Sequence, residues 1–190
     1  MKAQVRVLGI DDSPFRFGDG RSLVVGAVVR IPGYLEAIMR TDVEVDGDDA
    51  TEQLVRMVSG SRYRDQVKAI MLDGICLAGF NVVDIQALHE SLGVPVLTMT
   101  RDEPDMARIR AALQGHFADW ERRYGLITKH PLREMPTAHK PLHASGLGLG
   151  WPEFEQLVQQ STVRGAVPEA VRIAHIVAAA MVKGESKGRS

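Results

Sequence analysis

The first part of the chain has the hydrophobic pattern of β-strands. Residues 4–10, 22–31 and 34–45 are rich in β-branched and aliphatic side chains, and Pro and Gly residues interrupt the pattern between them. The middle segment, SLVVGAVVRI, is almost continuously apolar, which indicates a strand buried on both faces. Because the connections are short, we predict that these three strands form an antiparallel meander.

The pattern then becomes helical and alternates with further apolar strands. Asp49, followed three residues later by Glu52, resembles a capping box at the start of the first helix. Residues 126–150 are rich in His, Pro and Gly, and predict a loop with a short hairpin. The other predicted elements are helices at 49–58, 83–92, 105–124, 152–159 and 168–183 and strands at 67–72 and 94–100.

Three antiparallel strands followed by βαβ units predict an α/β fold with a mixed sheet and helices on both faces. The chain has 190 residues, which fits one domain. We predict that this domain covers residues 1–184 and that residues 185–190 form a flexible tail.

Composition narrows the class of protein further. Hydrophobic residues make up 45% of the chain and charged residues 25%, as in ordinary globular proteins. Cys76 is the only cysteine, so an intramolecular disulfide is excluded, and the cytoplasm is the predicted location. The sequence contains no stretch of about 18 apolar residues, so we predict no membrane-spanning helix. Residues 1–6 are not followed by the apolar region of a signal peptide.

Charge is distributed unevenly along the chain. Residues 1–105 contain 11 basic and 17 acidic side chains, whereas residues 106–190 contain 12 and 7. This asymmetry is compatible with an acidic, metal-holding cluster beside a surface that contacts phosphates. It is equally compatible with chance variation on a solvated surface.

Aspartates follow several predicted strands at positions that can converge. Asp11 ends the first strand in GIDD, and Asp73 ends a later strand in LDG. If those strands are parallel neighbours, their carboxylates meet at one sheet edge, which the loop VDGDDAT, with Asp46 and Asp49, can also reach. Converging carboxylates repel unless a cation such as Mg²⁺ lies between them. Singly, each aspartate fits ordinary loop or capping chemistry, but together they favour a metal site.

Polar residues near the same predicted edge are further candidates. Arg101 follows a strand in TMTRDEP and can face a phosphate or leaving group, or form a salt bridge with Asp102 or Glu103. Asn81 lies in GFNVVD, where a structural role competes with substrate binding, and Asp84 is placed to cap the following helix.

Aromatic and histidine side chains complete the candidate set. Tyr34 and Trp151 can stack on bases or pack against the protein. His139 and His143 lie in the predicted loop region and can touch a substrate, but their spacing matches no strong metal motif. His175 lies in an apolar helix, AVRIAHIVAAAM, and is interpreted as a core or interface residue.

The motifs GIDD, VDGDDAT, LDGICLAGFNVVD, GVPVLTMTR and VPEAVRIAHIVA, in this order, resemble the endonuclease dU family over nearly the whole chain. That family is mostly archaeal and is related to endonuclease V. The patterns LDG-x₄-GFN-x₂-D and VDG-x-D-x-T are its most specific parts. The resemblance implies an RNase H-like fold and a Mg²⁺-dependent nuclease, with Mn²⁺ as a substitute ion. It also implies a DNA-repair role near deaminated bases, with deoxyuridine the named substrate.

The resemblance assigns roles to individual residues. Asp11 and Asp73 stand where the relatives carry their two metal aspartates. Endonuclease V has a glutamate before its first helix. In this chain the resemblance assigns that position to Asp49, with Asp46 as the second choice. Glu52 has the matching separation from Asp73 in the sequence but would lie inside the helix. Arg101 replaces a lysine that follows the equivalent strand in endonuclease V, which keeps the positive charge.

The chain departs from endonuclease V at two places. Tyr34 follows Pro-Gly, whereas the base-separating wedge of endonuclease V carries its tyrosine before the proline. The late histidine of endonuclease V has no clear match, because Gly150 and Trp151 occupy that region. The resemblance therefore implies that substrate handling differs more than metal binding does.

The sequence thus predicts a metal-dependent endodeoxyribonuclease whose partner is nucleic acid. An inosine- or RNA-directed endoribonuclease of the same fold, an aspartyl-phosphoacceptor signalling domain and a catalytically idle nucleic-acid-binding relative are the alternatives. The sequence does not decide whether the substrate is DNA or RNA, and it does not give the oligomeric state. The predicted catalytic residues are Asp11, Asp49, Asp73 and Arg101, the metal ligands Asp11, Asp73, Asp46 and Asp49, and the substrate-binding residues Tyr34, Asn81, Trp151 and His143.

Overall fold

A computed structural model describes residues 5–16 and 18–187. It contains nine strands and six helices within that part of the chain. In order they are β1 (Arg6–Asp12), β2 (Arg21–Arg30), β3 (Tyr34–Glu44), α1 (Ala50–Ser59), β4 (Val67–Asp73), β5 (Cys76–Leu77), β6 (Asn81–Val82), α2 (Ile85–Leu92), β7 (Val96–Thr100), α3 (Met106–His116), α4 (Trp120–Thr128), β8 (Arg133–Met135), β9 (Leu142–Leu147), α5 (Trp151–Ser161) and α6 (Glu169–Lys183).

Seven of the strands form one mixed sheet in the order β3-β2-β1-β4-β7-β9-β8. The first three strands pair antiparallel, as predicted, because short turns connect them. β4 then lies parallel to β1, and β7 lies parallel to β4. β9 and β8 complete the sheet as an antiparallel hairpin from the region predicted to contain one. The carboxyl ends of β1, β4 and β7 consequently lie together at one end of the strands, and we use the word edge for this border of the sheet and for the opposite one.

Helices cover both faces of the sheet, which confirms the predicted layer arrangement. Val7, Met71 and Leu97 point into a core shared with α5 and α6. Leu8, Ile10 and Leu72 point to the opposite face and pack with α1 and α2. Strand residues therefore alternate between two apolar layers, as buried central strands require. Among the described residues, no helix is long and apolar enough to cross a membrane.

α6 lies directly against β1 at Gly9. A Cβ atom on Gly9 would lie 2.1 Å from the carbonyl carbon of Ala170 and 2.3 Å from the backbone nitrogen of Val171. No larger residue fits at position 9 unless the helix moves, because real Cβ atoms do not approach backbone this closely. The glycine in GIDD therefore sets the distance between α6 and the strand that ends in Asp11.

The predicted single helix at 105–124 is wrong. α3 ends at His116, Phe117 adopts an extended conformation with φ −130° and ψ 126°, and α4 begins at Trp120. The Phe117 ring packs edge-on against Phe80 with centroids 5.7 Å apart, and the Arg123 guanidinium lies over the same ring. These tertiary contacts stabilise the break, which local helix propensity does not indicate.

Element boundaries differ from the prediction at several further places. The Asp49 carboxylate makes no capping hydrogen bond to α1, so the predicted capping box is wrong. Asp84 does cap α2, through the backbone amides of Gln86 and Ala87. β1 continues through Asp12, and position 4 of the predicted first strand lies outside the described residues, as do positions 188–190 of the predicted tail.

Candidate metal centre

Strand register brings Asp11 and Asp73 side by side. Gly9 pairs with Met71 and Ile10 with Leu72, so the next pair along the parallel strands is Asp11 with Asp73. Met71, two residues before Asp73, faces the layer of α5 and α6. Because side chains alternate along a strand, both carboxylates point towards α6.

His175 of α6 completes the group. A hydrogen bond of 2.7 Å joins His175 Nδ1 to Asp11 Oδ2. One ligand atom from each of Asp11, Asp73 and His175 lies within 4.8 Å of the other two. We call these three residues the metal group. His175, interpreted from the sequence as a core or interface residue, therefore faces Asp11 and is a further candidate ligand. The residue is 164 positions away from Asp11, so no local spacing in the sequence links them.

Ionisation of the two adjacent aspartates at the end of β1, Asp11 and Asp12, is unfavourable in the folded protein. Burial, followed by the neighbouring charges of Asp73 and Asp12, raises the pKa of Asp11 to about 8. Burial also raises the pKa of Asp12 to about 6, although its Oδ2 accepts a hydrogen bond of 2.9 Å from the Ala78 amide. A bound cation removes this penalty, because it stabilises the ionised carboxylates.

The donor set fits a divalent cation. Carboxylate oxygens are the usual protein ligands of Mg²⁺, which binds one or two carboxylates and keeps several waters. The two carboxylates suit Mn²⁺ as well as Mg²⁺, and an imidazole nitrogen such as that of His175 is a common ligand of first-row transition metals. Asp11 is only 5% exposed, so the ion would be held at a buried corner of the sheet edge.

Asp49 and Asp46 do not join this group. Asp49 Oδ1 accepts hydrogen bonds from the Glu44 amide at 3.0 Å and from Asn81 Nδ2 at 2.7 Å. Burial acts to raise the pKa of Asp49, but these hydrogen bonds, together with the charge and hydrogen bond of Arg21, outweigh it and lower the pKa. Asp46 Oδ1 accepts a hydrogen bond of 2.8 Å from the Phe80 amide. Both carboxylates are therefore engaged with the protein itself.

Asn81, for which the sequence leaves a structural role and substrate binding open, makes its hydrogen bonds within the protein. Its side chain is fully buried. The Nδ2 group donates to the Glu44 carbonyl at 2.9 Å and to Asp49, and Oδ1 accepts from the Ala50 amide at 3.0 Å. These contacts use its hydrogen-bonding groups within the protein.

The two most specific sequence motifs pack against each other. In VDG-x-D-x-T the contacting residues are Asp46, Asp49 and Thr51, and in GFN-x₂-D they are Phe80, Asn81 and Asp84. Asp46 accepts from the Phe80 amide, Asp49 contacts Asn81, and Thr51 Oγ1 accepts from the Asp84 amide at 2.9 Å. The motifs therefore form a clasp between the loop before α1 and the loop before α2.

The remaining predicted site residues divide between the two edges of the sheet. Arg101 follows β7 and lies close enough to Asp11 for its charge to act on that carboxyl group, and His143 pairs with Thr100 at the same edge. Tyr34 begins β3 beside Arg30, which is aligned with the opposite end of β1. Trp151 follows the end of β9 that lies beside Val96, the start of β7. The structure therefore does not bring Tyr34 or Trp151 to the metal group.

An apolar cavity of about 250 Å³ lies at the metal-group edge, on the side of α3 and α4. Gly74, the residue after Asp73, forms part of its wall. Cys76 also lines it, and burial raises the pKa of this thiol to about 12, so the sulfur is a neutral thiol and not a nucleophilic thiolate. The polar side chains in the wall are Thr98, Thr100, His130, His143 and Ser145.

Comparison with known proteins gives both a family and a fold. Residues 3–182 match the family model described as Endonuclease dU. A UPF0215 protein of Methanothermobacter thermautotrophicus is 42% identical over 99% of this chain and 93% of its own length. A UPF0215 protein of Archaeoglobus fulgidus is 39% identical over 97% of this chain and 98% of its own length.

Solved structures extend the comparison. A crystal structure of a protein of unknown function from Archaeoglobus fulgidus has a TM-score of 0.83 at 37% identity, covering 93% of this chain and 97% of that one. Human endonuclease V has a TM-score of 0.62 at 14% identity, covering 95% and 85%. Endonuclease V of Ciona intestinalis, in complex with DNA containing an inosine followed by a ribo-adenosine, has a TM-score of 0.60 at 13% identity, covering 90% and 83%. Endonuclease V is RNase H-like, so the predicted fold is confirmed.

We expect the metal-free protein to lose stability as the pH rises towards 8. The folded-state pKa of Asp11, about 8, lies above its ordinary value of 3.8, so the folded state retains a proton that the unfolded state has already released. The contribution of Asp11 is therefore fully present below pH 3.8 and is lost as the pH rises through 8. Urea unfolding in EDTA should show a smaller fall between pH 5 and 8 in Asp11→Asn than in the native protein.

The matched control is Asp65→Asn, which alters an exposed aspartate beside the start of β4, at the opposite edge of the sheet. It should retain the native pH dependence. Saturating Mn²⁺ should raise the melting temperature of the native protein at pH 8 and leave that of Asp73→Asn unchanged. Identical pH profiles for Asp11→Asn and the native protein, with no effect of Mn²⁺, would contradict the metal centre.

Proposed function

The chain belongs to the endonuclease dU family, and from that premise we propose that it is a metal-dependent endonuclease that cuts DNA beside a deaminated base, foremost deoxyuridine. The family and the endonuclease V-like fold support a nuclease. The single observation that carries the proposal is the convergence of Asp11, Asp73 and His175 at the sheet edge. That edge also has an apolar cavity and the cationic Arg101.

We assign the metal ligands to Asp11, Asp73 and His175, with Mg²⁺ as the ion and Mn²⁺ as its substitute. A divalent cation supplies Lewis acidity that polarises a phosphodiester and stabilises the leaving oxygen. Asp11 and Asp73 provide the negative charge that would hold it, and in the absence of the ion the hydrogen bond between His175 Nδ1 and Asp11 Oδ2 fixes the orientation of the Asp11 carboxyl group. Arg101 provides positive charge for the phosphate of the substrate.

The apolar cavity supports recognition of one extruded base. Its volume of about 250 Å³ is below the range of pockets for drug-sized ligands and suits a single nucleobase. Its wall is mostly apolar, including Phe80, Met106 and Ile109, and Gly74 connects it to Asp73. A base held there would leave its own backbone at the metal group.

His130 is the candidate for reading the polar edge of that base. Its Nε2 atom is buried and has no hydrogen-bond partner within the described part of the chain. Burial, followed by the charge of Lys129, lowers the pKa of His130, which favours the neutral imidazole with one donor and one acceptor nitrogen. A uracil edge offers both a ring N–H and carbonyl oxygens, so either tautomer of His130 has a partner on it.

Two alternatives bear on the experiment. The Ciona endonuclease V complex contains inosine followed by a ribo-adenosine, so inosine and a ribonucleotide are the natural comparison substrates. An aspartyl-phosphoacceptor domain is disfavoured, because β1 leads into the antiparallel strand β2 and not into a helix.

We expect the protein to nick labelled oligonucleotides that contain deoxyuridine when Mg²⁺ is present, and not in EDTA. Deoxyinosine, an unmodified strand and a strand with one ribonucleotide are the comparison substrates. Asp73→Asn should lower the nicking rate more than ~100-fold, beyond the usual cost of losing an outer partner of a metal site. Asp49→Asn is the matched variant, and it should retain nicking because Asp49 bonds to Asn81 and Glu44 instead.

Two outcomes would contradict the proposal. One is the absence of Mg²⁺-dependent nicking on every substrate. The other is loss of nicking in Asp49→Asn together with its retention in Asp73→Asn, which would move the metal to the loop before α1.

We expect His130→Ala to reduce discrimination between deoxyuridine and an abasic site at the same position by roughly tenfold, the usual net effect of one hydrogen bond. The ratio of kcat/KM values for the two substrates measures this. His116→Ala, which alters an exposed histidine at the end of α3, is the control and should keep the native ratio. An equal loss of kcat/KM on both substrates in His130→Ala would show that His130 supports the fold or the chemistry without recognising the base.

A further inference from the structure

A second cavity, of about 520 Å³, has an unusual concentration of positive charge. Its wall contains Arg101, His139, Lys140, Arg164 and Arg172, and Asp102 is the one carboxylate among its lining residues. We call it the basic cavity. The volume lies within the range of small-ligand sites.

The basic residues reach the cavity from separate parts of the chain. Arg101 follows β7, Lys140 lies just before β9, Arg164 lies in the connection between α5 and α6, and Arg172 belongs to α6. Glu169 accepts a hydrogen bond of 2.8 Å from Arg172 Nε and neutralises that charge. Lys140 and Arg164 alone still outnumber the single lining carboxylate. Like charges gathered from distant segments repel each other, so the arrangement favours an anion.

The basic cavity lies beside the metal group and on the same face of the sheet. Arg101 comes two residues after Met99, which pairs with Asp73 in the neighbouring strand. Arg172 precedes His175 by three residues on α6, which is about one helical turn. The cavity wall also includes Leu142 and Val167, which belong to the apolar layer of α5 and α6. The apolar cavity, by contrast, opens on the side of α3 and α4.

We propose that the basic cavity binds a backbone phosphate of the cleaved strand, next to the phosphate that is cut. This inference rests on the proposed nuclease function. The strand would cross the ends of β4 and β7, with the extruded base in the apolar cavity and the neighbouring phosphate in the basic cavity. The chemistry recognised is that of a phosphodiester, so this contact contributes affinity and register and is independent of the base sequence.

The test uses the exposed residues of the cavity. Lys140 and Arg164 are exposed, and their side chains have no ion pair in the described part of the chain, so replacing them should leave the fold intact. The test variant is Lys140→Ala/Arg164→Ala. The control variant, Arg62→Ala/Lys68→Ala, removes the same charge at the opposite edge of the sheet, near the start of β4. Circular dichroism melting compares the folding of both variants with that of the native protein.

The measurement is fluorescence anisotropy of a labelled single-stranded oligonucleotide of about 20 nucleotides with one deoxyuridine, longer than typical single-strand site sizes. EDTA prevents cleavage, and Kd is measured over a series of KCl concentrations. We expect the slope of log Kd against log salt to fall by about 0.7 for each phosphate contact that the test variant loses. The control variant should keep the native slope. Arg164→Gln alone should give a smaller fall than the double variant.

The outcomes separate this inference from the proposed function. Equal slopes for the test and control variants, with Asp73-dependent nicking intact, would overturn the phosphate site and leave the nuclease standing. Failure of the native protein to bind the oligonucleotide at any salt concentration would also overturn the phosphate site, whereas the absence of nicking in Mg²⁺ would overturn the nuclease. A lower slope in the test variant, with kcat at saturating substrate near the native value and KM raised, would support a binding role distinct from catalysis.

Discussion

The candidate metal centre depends on the contact between Asp11 of β1 and His175 of α6. Asp11 lies beside Asp73 because β1 and β4 are parallel neighbours in register, and both carboxylates face the same side because of strand alternation. α6 reaches them because Gly9 allows the helix backbone to approach β1 directly. Burial, followed by the charges of Asp73 and Asp12, raises the pKa of Asp11 to about 8, so ionisation of Asp11 is unfavourable in the folded protein unless positive charge lies beside it.

The aspartates of this protein have two distinct kinds of role. Asp11 and Asp73 belong to the metal group, whereas Asp46 and Asp49 hold the clasp between the loops before α1 and α2. Arg123 strengthens the clasp through hydrogen bonds of 2.7 Å to the carbonyl oxygens of Gly47 and Phe80. The clasp positions the loop that follows Asp73, and thereby one wall of the apolar cavity. Apart from Asp73 in LDG, the residues of these distinctive motifs therefore support the site without forming it.

Much of the fold could be predicted from the sequence, because strand periodicity and short turns act locally. The meander, the parallel strands and the strand-end positions of Asp11 and Asp73 all follow from such patterns. The break at Phe117, the role of His175 and the engagement of Asp49 with Asn81 depend on contacts between distant segments. An aspartate before a helix looks the same in sequence whether it caps that helix, holds a metal or binds a buried amide.

The most direct measurement is anomalous diffraction at the manganese edge from crystals soaked in Mn²⁺. We expect a peak at about 2.1 Å from one oxygen each of Asp11 and Asp73, and within coordination distance of a His175 nitrogen. That result would place the cation where the carboxylates of β1 and β4 converge. A peak at Asp46 or Asp49, or the absence of any peak between Asp11 and Asp73, would contradict the metal centre on which the proposed function rests.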